Sequence, residues 1–133
     1  MRYADDFLVF VRTETAARRV YHSVERYLTR KLKLVVNHDK SQVCSSKGVE
    51  FLGYQFHGFG GQIRVSNKNV QKFQRRAKEI TRRNRGVSMS SRLRELATYV
   101  RGWVGYFCLD QRKTLFVELD KWLRRRVLSL IHI

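Results

Sequence analysis

Asp5 and Asp6 stand side by side after Arg2-Tyr3-Ala4, directly ahead of the apolar run Phe7-Leu8-Val9-Phe10-Val11. Two carboxylates so close repel each other unless a cation neutralises them, and a divalent metal does this well. Hard oxygen ligands suit magnesium, which keeps open positions for phosphate oxygens and water. The plainer reading of the pair is an acidic turn solvated at a loop tip. The second feature with chemical content is charge. Lys and Arg number 28 against 11 Asp and Glu, a formal charge of +17. Residues 1–65 carry 11 basic and 6 acidic side chains, and residues 66–133 carry 17 and 5, so the second half is the one that faces a polyanion. Ten of those cations fall between Lys72 and Arg101, offset only by Glu79 and Glu95. Arginine outnumbers lysine, and its planar fork suits bidentate phosphate contact and stacking, which points to nucleic acid. The alternative is a solvated basic helix face.

Other constellations carry little. His22, His38, His57 and His132 are scattered, with no acidic or cysteine partner at metal-ligand spacing. Cys44 and Cys108 form no CxxC, so neither a disulfide framework nor a zinc module is indicated, and a reducing, cytoplasmic setting is expected. The glycines Gly58, Gly60 and Gly61 are not followed by Lys-Ser or Lys-Thr, so they read as a hairpin turn rather than a phosphate loop. No nucleophile stands with a base and an orienting third group.

These groups need elements to hold them. Ala4-Asp5-Asp6 reads as the tight turn of a β-hairpin whose return strand is the buried run Phe7–Val11, only three residues preceding the turn. Thr13 is a candidate N-cap for a helix to Lys33, with Ala17, Val20, Tyr21, Val24, Tyr27 and Leu28 at helical spacing. Leu34-Val35-Val36 and Gln42-Val43-Cys44 read as short strands about the turn Asn37–Lys40. Val49–Phe56 reads as a strand of a second hairpin, with Gly58–Gly61 as its turn and Gln62–Val65 returning. After Ser66 the period changes to helical. Val70, Phe73, Ala77 and Ile80 mark one helix, Leu93 to Phe107 a second capped by Ser90 or Ser91, and Leu115 to Leu130 a third.

A chain of 133 residues with 43% apolar and 12% aromatic side chains can fill a core as one domain or two small lobes. The fold class is α+β: a mixed piece over 1–65, then a basic three-helix lobe over 66–133. No apolar run approaches the ~20 residues of a membrane helix, so no membrane partner is expected.

Arg2-Tyr3-Ala4-Asp5-Asp6-Phe7-Leu8-Val9 resembles the YADD signature of reverse transcriptases. Downstream, in matching order, come Asn37-His38-Asp39-Lys40-Ser41, Val49-Glu50-Phe51-Leu52-Gly53-Tyr54, Tyr99-Val100-Arg101-Gly102-Trp103-Val104-Gly105-Tyr106-Phe107 and Leu119-Asp120-Lys121-Trp122-Leu123-Arg124-Arg125-Arg126. Together they resemble the C-terminal part of a group II intron-encoded reverse transcriptase and maturase. The ending Ser129–Ile133 departs from the basic, aromatic continuation of that family.

The resemblance implies a partial reverse-transcriptase palm over 1–65 followed by a three-helix thumb of the maturase-specific kind over 66–133. It implies RNA-directed DNA polymerase chemistry, a two-metal nucleotidyl transfer with magnesium on Asp5 and, more weakly, Asp6. Tyr3 and Ala4 would lie against the nascent base pair, Lys40 near the leaving pyrophosphate, and Phe51, Leu52, Gly53 and Tyr54 in the primer grip. Lys72, Arg75, Arg76, Lys78, Arg82, Arg83 and Arg85 would meet the phosphates of intron RNA or an RNA–DNA hybrid, with DNA a further partner. Trp103, Tyr106 and Trp122 could stack on bases, but their helical spacing makes them core, with Gly102 and Gly105 allowing close helix packing. The fingers, the first half of the palm and its aspartate lie outside these residues and would be supplied by another chain or segment. The chain alone is therefore expected to be inactive as a polymerase. The competing readings are a stand-alone RNA-binding module and an inactive remnant.

Overall fold

A computed structural model describes residues 1–58 and 61–132. It is a mixed α+β chain of two compact units, Met1–Val49 and Glu50–Ile133.

The first unit opens with a two-stranded antiparallel ribbon, β1 (Arg2–Tyr3) and β2 (Asp6–Phe7), in register Arg2 to Phe7 and Tyr3 to Asp6. The terminal ammonium donates to Leu8 O at 2.8 Å and Leu8 N to Met1 O at 2.7 Å, extending the ladder by one pair. The run to Val11 is neither a longer strand nor buried. Phe7, Val9, Phe10 and Val11 are all exposed, because a two-stranded ribbon buries a face only against another layer. Helix α1 (Glu14–Arg30) starts where expected: Thr13 is extended and its hydroxyl accepts from Ala16 N, with Glu14 in the first turn paired to Arg18. Its apolar stripe is half-buried at most, and Tyr27 is exposed.

The short strands expected at 34–36 and 42–44 do not form. A strand needs a ladder partner, and among the described residues none pairs with either segment; Val35 is 97% exposed. The turn between them does form. Asn37 Oδ1 accepts from Asp39 N at 3.1 Å and Lys40 N at 3.3 Å, an Asx turn.

In the second unit β3 (Glu50–Phe51), β4 (Tyr54–His57) and β5 (Gln62–Val65) make an antiparallel sheet in that order. The single strand expected over 49–56 is thus cut in two by a turn at Leu52-Gly53. In the expected Gly58–Gly61 turn, residues 59 and 60 lie outside the described residues. Ser66, fully buried, caps α2 (Asn67–Ile80) by accepting from Asn69 N. A short 3-10 turn at Arg83–Arg85 and the left-handed Gly86 lead to α3 (Met89–Tyr106). Its cap is Ser88, not Ser90 or Ser91: Ser88 is the extended residue immediately before the helix, and its Oγ accepts from Ser91 N. Helix α4 (Lys113–Ile131) closes the unit.

The core gathers Phe73, Ala77 and Ile80 of α2, Leu96 of α3, and Leu119 and Leu123 of α4, each helix giving one stripe. Trp103 and Trp122 pack against it as expected, Trp103 lying 4.4 Å from Phe73 between ring centroids. Tyr106 is 56% exposed and is not core. Gly102 and Gly105 admit no close helix either, since a Cβ there would meet nothing within 4 Å. Among the described residues no helix is long and apolar enough to cross a membrane.

Candidate nucleic-acid interface and acidic hairpin

The acidic pair sits at the tip of the β1–β2 ribbon, Asp5 in the turn and Asp6 opening β2. Ala4, the first central residue of the turn, has φ of +49° and Asp5 does not share that sign, the pattern for which glycine is the usual occupant. A methyl-bearing residue held there is strained, of order 1 kcal/mol or more. Both carboxylates are exposed, and neither forms an ion pair among the described residues. Tyr3 is exposed beside them. Lys40 ends the Asx turn, exposed, and that turn is held to α1 through His38, 3.4 Å from Glu25 Oε1 and 3.4 Å from the Tyr21 hydroxyl.

In the second unit Phe51, Leu52, Gly53 and Tyr54 form a two-residue turn in which both central residues have positive φ, +53° at Leu52 and +82° at Gly53. Two groups fasten it. The Gly53 carbonyl accepts from Ser66 N at 2.9 Å and Asn69 Nδ2 at 3.3 Å, at the start of α2. Tyr54 OH donates to Tyr106 O at 2.6 Å while Tyr106 OH donates to Leu52 O at 3.1 Å, at the end of α3. Burial, opposed by a backbone hydrogen bond near Leu109, pushes the Tyr54 phenol up from its ordinary value. A Cβ on Gly53 would come within 2.8 Å of Asn69 Nδ2 and 3.0 Å of Phe107 Cε1. Gly53→Ala is therefore expected to cost about 2–4 kcal/mol, positive φ and overpacking combined, read as a lowered midpoint in denaturant unfolding.

The seven basic candidates separate by what they touch. Arg76 pairs with Glu79 at 3.0 Å and Glu95 at 3.4 Å, and Arg85 with Glu95 at 2.8 Å, a network between α2, the connection and α3. Arg83 donates to Ser129 O at 2.6 Å, tying the connection to α4. The side chains of Lys72, Arg75, Lys78 and Arg82 have no hydrogen-bond or ion-pair partner among the described residues and are exposed. On α2, Lys68, Gln71, Arg75 and Lys78 recur at three- and four-residue steps and share the face opposite Phe73, Ala77 and Ile80, with Arg82 just past the helix end. Lys68 was missed in the sequence because it precedes the dense basic run; its place on the outer stripe is a matter of helical phase.

Residues 1–56 match the family model for reverse transcriptase (RNA-dependent DNA polymerase), and residues 70–132 match that for the group II intron maturase-specific domain. The chain belongs to the group II intron reverse transcriptase and maturase family. No curated protein matches it. Within this maturase-family chain the Asp5–Asp6 hairpin, the Lys40 turn and the Leu52-Gly53 turn fall inside the reverse-transcriptase match, and α3, α4 and all of α2 but its first three residues, Lys68 among them, inside the maturase-specific one.

The family resemblance implies magnesium at the acidic hairpin. Exposed hard oxygens without a basic partner fit a cation that takes one or two protein carboxylates plus substrate phosphates. Among the described residues no three His, Cys, Asp or Glu side chains converge to hold a metal.

One further residue organises the maturase-specific part: Asp110, in the connection between α3 and α4. Its side chain is fully buried and accepts from Val65 N at 2.6 Å, Arg112 N at 2.7 Å and Arg112 Nη2 at 2.8 Å. Burial alone would raise its carboxyl; the Arg112 side chain and the Val65 and Arg112 amides outweigh that and hold it below the usual carboxylate range.

Proposed function

We propose that this chain is a palm-and-thumb portion of an RNA-directed DNA polymerase and maturase, and that it holds intron RNA or an RNA–DNA hybrid through the outer face of α2. The observation that carries this is the stripe Lys68, Arg75 and Lys78, cations without protein partners on the side of α2 that the core leaves to solvent. Cations already paired, such as Arg76, have an alternative; these have only water, and phosphate oxygens replace water with release of counterions.

In the same reading Asp5 and Asp6 are the carboxylates that hold magnesium, which when bound would supply Lewis-acid stabilisation of a phosphoryl oxygen. The strained Ala4 turn presents them, Tyr3 flanks the nascent pair, and Lys40 stands ready to neutralise a leaving phosphate. The Leu52-Gly53 turn serves as primer grip, fixed by Tyr54 and Tyr106. The resemblance adds a further palm aspartate to the pair, and the exposed apolar side chains of the first unit, Tyr3, Phe7 and Val9 among them, support completion by further palm and finger polypeptide.

The test is binding of a structured RNA by fluorescence anisotropy over rising salt, with and without magnesium. The expected result is a log–log slope of about −3 or steeper for at least three phosphates met, unchanged by magnesium removal. Affinity that ignores salt would overturn the phosphate reading. Incorporation of labelled nucleotide by this chain alone, abolished by Asp5→Ala, would overturn the claim that its metal site needs completion.

A further inference from the structure

Two grooves flank α2, and they differ in whether their charges are already met. In the one toward α3, Arg76 and Glu95 pair with each other at 3.4 Å, and each has a second partner, Glu79 and Arg85 respectively. The one toward α4 has a volume of about 350 Å³ and is rimmed by Lys121 and Arg125. Both of these side chains are exposed, without a hydrogen-bond or ion-pair partner among the described residues.

The floor of the α4-side groove is apolar, Val70 of α2 with Leu115, Leu119 and Trp122 of α4. Trp122 packs against the core yet is only half-buried, and what the core leaves uncovered lines the groove. Its ring is held in place: Arg126 Cζ lies 5.6 Å from the ring centroid, and Arg126 Nε donates to Thr81 Oγ1 at 3.0 Å. That bond also gives the register. Thr81 meets Arg126 just as Val70 shares the groove with Leu115, so α2 and α4 run side by side in the same direction. Gln74 stands on the α2 wall, three residues after Gln71 and four before Lys78, so the groove opens beside the outer basic stripe of α2.

An apolar floor with an aromatic ring, cations at the rim and two polar side chains, Gln74 and Glu118, is the set that holds an unpaired nucleotide. A base of any kind stacks on an aromatic face, cations meet its phosphate, and amide or carboxylate groups read its edge. In a double helix the base faces are already stacked, so paired RNA has nothing to insert. An apolar peptide would fill the floor but leave Lys121 and Arg125 to water. A bare phosphate ion would be opposed by Glu118, whose carboxylate instead accepts from an exocyclic amine. We propose that the groove between α2 and α4 takes one unpaired nucleotide of RNA, its base on Trp122 and its phosphate on Lys121 and Arg125. This rests on the RNA-binding reading above and adds that the RNA offers a base free of its helix.

The experiment compares three labelled RNA hairpins that differ at one stem position: fully paired, with a single bulged adenosine, and with an abasic bulge. Affinities are measured by anisotropy for the 133-residue chain and for the double variant Lys121→Ala, Arg125→Ala. Neither truncation removes a protein contact of a charged group among the described residues, and thermal melting checks the fold. The 15N-labelled parent reports two indole Nε1–H signals, Trp122 in the groove and Trp103 as the internal control. The parent is expected to bind the bulged adenosine about tenfold more tightly than the other two hairpins, within the range of one base stacked on an aromatic ring. The Trp122 signal should move with that hairpin alone while Trp103 stays fixed, and the double variant should lose the preference. Equal affinity for all three hairpins overturns the groove assignment and leaves the α2 stripe standing. A preference shared by the abasic bulge overturns it too, since extra backbone and not a base is then recognised. A preference kept by the double variant removes the phosphate from Lys121 and Arg125. A Trp122 signal that moves with protein concentration in the absence of RNA gives the groove to a second copy of the chain. Binding of none of the hairpins sinks the RNA-binding reading and the groove assignment together.

Discussion

Reversing Lys68, Arg75 and Lys78 together to glutamate is expected to weaken binding of structured RNA about a hundredfold at moderate salt. Each contact between an exposed cation and a phosphate is worth about 1 kcal/mol, and roughly 1.4 kcal/mol is tenfold in affinity. Three lost contacts therefore amount to about two decades. The salt slope should fall by about three in the same variant. Stability should barely move, because all three side chains are exposed and none has a protein partner among the described residues. Glutamate at 68 is favoured near the start of α2 and at 78 disfavoured near its end, so the dipole effects largely offset. The comparison that gives the result its meaning is Arg76→Glu, which removes a cation engaged with Glu79 and Glu95 and should lower the melting temperature more than the affinity. Equal RNA affinity in the triple variant and the parent would remove α2 from the interface.

Asp110→Ala is expected to cost about 3 kcal/mol of stability in the second unit. Truncation removes the acceptor of four hydrogen bonds, one from Val65 N and three from Arg112, and breaking a buried pair generally costs about 3–5 kcal/mol. The lower end applies because the Arg112 side chain keeps 26% of its surface in solvent. Against a typical total of about 5–15 kcal/mol, that is enough to move the denaturant midpoint plainly. The pH dependence has a definite sign. The folded carboxyl is held below its ordinary value, so its contribution is in full force above the unfolded value near 3.9 and fades as pH falls through the lowered folded one. Acid unfolding of the parent should therefore lose a component that Asp110→Ala lacks from the outset. A midpoint within about 0.5 kcal/mol of the parent would show that the Val65 and Arg112 amides find other acceptors.

What could be read in the amino acids was local. Thr13 marks a helix start because a hydroxyl just ahead of a periodic apolar stripe can satisfy a free backbone amide, whereas at Ser66 only the change of period was legible and the capping bond to Asn69 N was not. Three serines at 88, 90 and 91 offer that chemistry alike, and only the left-handed Gly86 decides for the first. The 34–36 and 42–44 segments have strand composition but no ladder partner among the described residues, and composition cannot supply a neighbour. Leu52-Gly53 hid inside an alternating run, since leucine rarely accepts the left-handed conformation; the Tyr54–Tyr106 exchange that holds it there spans 52 positions and leaves no local trace. The acidic pair, Lys40 and the basic run were legible as residue types, whereas Asp110 matters only through whom it meets in three dimensions.

Ala4 has a corollary for how the hairpin tip behaves as a mechanical part. Glycine would accept the same backbone shape without penalty, yet would also let the unliganded tip wander among many others, a loss of order worth about 0.5–1 kcal/mol on capture of a cation. A single methyl narrows the cone through which the neighbouring Asp5 can swing before any ligand arrives. The methyl thus leaves the tip fewer backbone states than glycine would, at a standing cost in every one that keeps φ positive.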